Sequence, residues 1–110
     1  MLYVEGDNPS MKAIWNDTVI AEADKEDLIR IEGNWYFSPE SIKKEFYRES
    51  DHHTTCFWKG EASYFDVVVD GDRNEFGAWY YAKPMDGSIE KVKKDFTNYV
   101  AFWNGIEVTE

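Results

Sequence analysis

Thr54-Thr55-Cys56-Phe57-Trp58-Lys59-Gly60-Glu61-Ala62-Ser63-Tyr64-Phe65-Asp66-Val67-Val68-Val69-Asp70 decides the fold. β-Branched and aromatic residues suit a pleated surface, so residues 54–58 and 61–70 read as two strands. Lys59-Gly60 separates them. In the second strand the odd positions, Glu61, Ser63, Phe65, Val67 and Val69, are expected to face the core. The even positions, Ala62, Tyr64, Asp66, Val68 and Asp70, form a mixed face.

The same signals recur on either side. Residues 12–16 and 18–22 read as a hairpin turning at Asn16-Asp17. Leu28 to Glu32 and Trp35-Tyr36-Phe37 form a second hairpin through Gly33-Asn34. Ser38-Pro39-Glu40 is a helix start, with Ser38 as cap and Pro39 in the first turn. Ile42, Phe46 and Tyr47 follow at helical spacing, and the helix is expected to end near Arg48–Ser50. Residues 71–75 read as a turn and Phe76–Ala82 as a strand stopped by Pro84, with Trp79 and Tyr81 on one face and Phe76 and Tyr80 on the other. Ser88–Lys94 reads as a second short helix. Tyr99–Trp103 is a late strand, turned by Asn104-Gly105 into Ile106-Glu107-Val108. The sum is about eight short strands and two short helices, a mainly β fold with antiparallel sheets. Residues 13–22 and 101–110 echo one another. Either similar hairpins use similar residues, or the two are equivalent edges of one sheet.

The 110 residues suit a single domain over 1–110, with 1–11 an extended lead-in. Lys plus Arg is 12 against 22 for Asp plus Glu, a net charge of −10. That acidity repels phosphate backbones and anionic membranes, so neither nucleic acid nor membrane is expected as a partner. The N-terminal residues carry no basic start and no apolar run, so no export signal is expected and the protein is placed in the cytoplasm. One Cys excludes an intramolecular disulfide framework and a closed Cys-rich zinc site.

Both His residues and the Cys fall within Asp51–Cys56. His53-x-x-Cys56 has a spacing that could ligate a metal, or the His pair lies exposed while Cys56 packs as a small apolar residue. Lys59, Glu61 and Cys56 are the candidates for acid, base or nucleophile. Gly60 permits a strand break from which Lys59 projects, as an anion ligand, a base or a surface lysine. Trp58, Tyr64, Trp79, Tyr81 and Trp103, with Trp15 and Trp35, exceed the needs of a small core. They suit a cleft, an interface, or an aromatic cage for a planar or cationic ligand. Phosphate loops, nucleophile elbows and zinc-protease motifs are absent, and nothing in the sequence specifies a cofactor.

The chain resembles the bacterial family known as domain of unknown function 427. The resemblance rests on Lys12–Asn16, Glu32–Phe37, His53–Cys56, Trp58–Tyr64, Ala78–Tyr81 with Pro84, and Tyr99–Gly105. The family usually has Pro where this chain has Phe57. The resemblance implies bent antiparallel sheets of the β-tent type. The family has also been labelled nucleotidyltransferase-like, but the motif of such enzymes, Gly-Ser followed by Asp-x-Asp, does not occur in that order here. Its shared polar and aromatic positions are Glu32, Cys56, Trp58, Lys59, Ser63, Tyr64, Trp79 and Tyr81.

The residues together point to a small binding module. Glu32, Trp58, Lys59, Ser63, Tyr64, Trp79 and Tyr81 are the expected ligand contacts, for a small molecule or a protein partner. A small enzyme and an oligomerisation domain are the alternatives, with monomer and homodimer both open.

Overall fold

The computed structural model describes residues 9–110. The N-terminal stretch read as lacking an export signal lies outside them, as does most of the expected lead-in. Ser10 and Met11 already belong to the first strand.

Nine strands form three antiparallel sheets among the described residues. β1 (Ser10–Trp15) pairs with β2 (Thr18–Asp24) and β9 (Glu107–Thr109). β3 (Ile29–Ile31) pairs with β4 (Asn34–Tyr36). The largest sheet has the order β5 (Tyr47–Cys56), β6 (Gly60–Val69), β7 (Asp72–Tyr80), β8 (Val100–Phe102). Phe37 and Val100 exchange backbone hydrogen bonds of 2.8 Å, which docks the small hairpin on β8. The sheets bend and do not close into a barrel. No helix among these residues is long and apolar enough to cross a membrane.

β6 explains the architecture. Val67 and Val69 enter one core with Ile20, Phe37 and Phe102. Ala62 and Tyr64, on the other face, enter a second core with Tyr36, Tyr81 and Phe96. The even face is mixed, as expected: it carries a core at Ala62 and Tyr64 and is polar at Asp66 and Asp70. The odd face is buried at Val67 and Val69 but exposed at Glu61.

Two bulges bend this strand's neighbours. Glu49 pairs with Phe65 and His53 with Ser63, so Ser50, Asp51 and His52 all lie opposite Tyr64. Phe65 pairs with Ala78 and Val67 with Asn74, so Glu75, Phe76 and Gly77 all lie opposite Asp66. Extra residues twist a strand and re-aim its side chains. Phe76 takes a left-handed φ of 59° and packs on the second core beside Trp79, not on the Tyr80 face expected from simple alternation. Asp66 holds this bulge. Its carboxylate accepts the Phe76 backbone N–H at 3.0 Å and pairs with Arg73 at 2.6 Å.

The helix expected after Ser38 is replaced by two 3₁₀ turns, Pro39–Ser41 and Lys44–Phe46. Ser38 offers no side-chain cap, and Ser41 Oγ instead donates to the Ser38 carbonyl. Ile42 turns extended and bridges to Ala21, while the Lys43 N–H bonds the Ile20 carbonyl. Pairing with β2 outweighs local helix preference, and Tyr47 starts β5. Ser88–Val92 is the one α-helix among the described residues, here α1. The 71–75 turn shrinks to Asp70-Gly71, because polar Asp72 to Glu75 continue β7. Asn104-Gly105 does not close a hairpin: β8 pairs with β7 and β9 with β1. The two echoing segments are thus not equivalent edges of one sheet.

Asp66→Ala should cost roughly 2–3 kcal/mol, since it strands a bulge N–H and removes a charged acceptor. Arg73→Ala should cost under about 1 kcal/mol, because Arg73 is half exposed and the Phe76 bond survives. Urea denaturation of both variants measures this. Equal losses would remove Asp66 from its place as the bulge's anchor.

Candidate functional site

Lys59 closes the β5–β6 turn at a position its backbone cannot leave. Its carbonyl accepts the Met85 N–H at 2.9 Å. Gly60 follows at φ 111°, and a Cβ there would stand 3.2 Å from Met85 N and 3.3 Å from the Lys83 carbonyl. Both neighbours are backbone, so Gly60 is required for this close approach.

The Lys59 side chain runs inward and is only 8% exposed. It lines a cleft of about 150 Å³ with Tyr64, Trp79, Tyr81 and Trp103. β6 supplies Tyr64 and β7 supplies Trp79, paired directly across the strands. Tyr81 follows β7 on the same face. Trp103 follows β8 and meets Trp79 edge-on, with ring centroids 5.8 Å apart. Trp79 Nε1 donates to the Tyr36 hydroxyl at 3.1 Å, which fixes the indole plane.

Glu32 is the counter-ion. It lies on the β3–β4 turn at φ 53°, with its side chain 54% exposed. One carboxylate oxygen accepts a hydrogen bond from the Lys59 ammonium. The other accepts Trp58 Nε1–H at 3.3 Å. The Lys59 ammonium lies 5.3 Å from the Trp58 ring and 5.4 Å from the Tyr81 ring. Lys91 of α1 sits 4.4 Å over the Trp58 ring.

The charge states follow from these contacts. Burial acts to lower the Lys59 pKa, but the hydrogen bond with Glu32 and neighbouring negative charge reverse this, and it ends raised. The Lys59 hydrogen bond holds the Glu32 carboxyl below its usual range, against its burial. Burial pushes Tyr81 up to about 12 and raises Tyr36. At neutral pH the two tyrosines are therefore neutral and Lys59 is a full cation. A protonated ammonium has no lone pair for base or imine chemistry.

The structure brings Lys59, Tyr64, Trp79 and Tyr81 together, with Glu32 and Trp58 on the outer side of the ammonium. Ser63 faces away, between Ala62 and Tyr64, and bonds His53 Nδ1 at 3.1 Å. Glu61 is exposed on that opposite side, beside Ala82 and Lys83. Cys56 is a half-buried free thiol packed on the second core, outside the cleft lining. His52 stacks on Phe76 at 4.2 Å. Among the described residues no three His, Cys, Asp or Glu side chains converge as a metal site, and His53 with Cys56 gains no third ligand. Sequence reasoning counted Trp103 in the aromatic surplus but not in the cleft, and Tyr36 in neither. Trp103 arrives through the pairing of β8 with β7 and Tyr36 through the docking of the β3–β4 hairpin on β8, neither of which spacing reveals. A larger groove of about 350 Å³ lies over Ile42, Tyr47, Phe65 and Tyr80, and its lining has no buried charge.

The chain belongs to the family described as a domain of unknown function (DUF427), which it matches over residues 3–110. No curated protein matches it.

The ion pair sets a pH dependence. Glu32 has a lowered folded pKa, so its contribution is present above its unfolded value of about 4.3 and is lost as pH falls through the folded one. Lys59 has a raised folded pKa, so its contribution is present below about 10.4 and is lost as pH rises through the folded one. Glu32→Gln should therefore cost roughly 1–2 kcal/mol at pH 7, less than a fully buried pair because Glu32 is half exposed. The gap to wild type should narrow as pH falls below about 4 and close only below the lowered folded pKa of Glu32. Urea midpoints measured across pH test this, and a gap unchanged at low pH would sink the assignment. Lys59→Met should be neutral or stabilising, since it replaces a buried charge with apolar volume.

Proposed function

We propose that the protein is a cytoplasmic binding module of a bacterial cell, with the aromatic cleft over Lys59 as its ligand site. The observation that carries this reading is a buried, charged ammonium on the wall of a cleft otherwise lined by Tyr64, Trp79, Tyr81 and Trp103. A buried cation costs stability unless it is paired, and it serves the core less well than Met or Leu would. Rigid aromatics with one placed polar group are the usual make-up of a small-molecule site. The ligand is a small molecule. A volume of about 150 Å³ suits a fragment, not a protein loop. The net charge of −10 argues against nucleic acid. The enzyme alternative draws less support: Lys59 is protonated, Glu61 is exposed, and Cys56 lies outside the cleft lining.

Fragment screening by ¹H–¹⁵N NMR tests the site. Ring-bearing fragments should shift the indole N–H signals of Trp79 and Trp103 first, and Trp79→Ala should reduce their affinity at least about ten-fold, the loss of one buried aromatic contact. Shifts confined to the groove over Phe65 and Tyr80 would move the ligand site there.

A further inference from the structure

Resting on that reading, we infer that the cleft takes a single-ring aromatic carboxylate, and that Glu32 is a built-in stand-in which the ligand displaces. Three features carry this.

The first is the donor pair. Glu32 already spans Lys59 Nζ and Trp58 Nε1, one oxygen on each. Two donors set to receive the two oxygens of one carboxylate will receive those of another. The second is asymmetry. Lys59 is buried and its backbone is pinned, while Glu32 is half exposed on a tight turn. When the pair opens, Glu32 returns to water at small cost and Lys59 cannot follow. An incoming carboxylate restores the ammonium's partner and lets Glu32 hydrate. The third is size. A cavity of about 150 Å³ with apolar walls holds one benzene-sized ring. Trp79 and Tyr81 offer ring faces and edges for it. A nucleotide or a fused polycycle exceeds that volume.

Local charge agrees. Lys59 and Lys91 flank Trp58, and Glu32 is the carboxylate bonded there. Among the described residues Lys91 is in no salt bridge. A cationic ligand, which the aromatic surplus also allowed, would meet the ammonium head-on.

Calorimetric titration with benzoate and its neutral isostere benzamide tests the inference. Wild type should bind benzoate at least about ten-fold tighter than benzamide. Glu32→Gln, which removes the competing charge, should tighten benzoate several-fold and leave benzamide unchanged. Lys59→Met should abolish the preference. Should a variant fail to fold, the wild-type Trp58 indole N–H resonance gives a second readout: it should shift with benzoate and not with benzamide. Equal affinities for the two rings, or weaker benzoate binding by Glu32→Gln, overturn the carboxylate while leaving the cleft a ligand site. Failure of both rings to bind overturns the cleft as well.

Discussion

β6 carries Val67 and Val69 on one face and Ala62 and Tyr64 on the other, and all four side chains are buried. A strand in that position needs cover on two sides, so the chain must supply two layers with one strand shared between them. The β1–β2–β9 sheet covers the first face. The β3–β4 hairpin, with Phe96 and α1, covers the second. Flat neighbours could not serve both, and the bulges opposite Tyr64 and Asp66 supply the bend. Asp66 is the cost of that bend, a nearly buried carboxylate spent on one backbone N–H and one Arg.

This arrangement also decides what was legible in the sequence. Asn16-Asp17 told of its hairpin because both residues tolerate the left-handed backbone they adopt, at φ 53° and 59°. Ser88–Val92 was legible as a helix for similarly local reasons. The Pro39 helix was not, because the backbone bonds of residues 42 and 43 go to β2, some twenty positions back. Phe76 could not be placed by alternation either, since the bulge that turns it depends on Asp66 in another strand. The site shows the same division. Lys59, Tyr64, Trp79 and Tyr81 were readable from Lys-Gly and from paired aromatics on adjacent strands. Ser63 was misplaced because neighbours on a strand point apart. Trp103 and Tyr36 depend on how β8 and β4 dock, which no local pattern encodes.

Glu32 carries the argument further. Residues other than Gly, Asn and Asp gain nothing from a left-handed backbone, and φ 53° in a two-residue turn strains a Glu. Its backbone position does not account for it, but its reach does. From the turn its carboxylate arrives at Lys59 and Trp58, where the shorter Asp or Asn would fall short. Turn strain, a buried ammonium and an exposed counter-ion make a poor stability device by any measure. They suit the proposed ligand site, which calls for a cation that stays charged and open to exchange.

The acidic surface does not contradict an anionic ligand. At physiological salt, charges more than about 8 Å away are largely screened, so most of the −10 is not felt inside the cleft. What acts there is the near field: one buried ammonium, a second ammonium over Trp58, and one half-exposed carboxylate. The distant acidity slows the approach of an anion without weakening its final contacts by much. Selectivity then falls to the cleft itself, where Tyr81 and Tyr36 stay neutral and Lys59 is the single charge in the lining. One charge with two donors beside it discriminates between a carboxylate and its amide more sharply than any long-range field could, because the amide puts N–H₂ where one of those donors needs an acceptor.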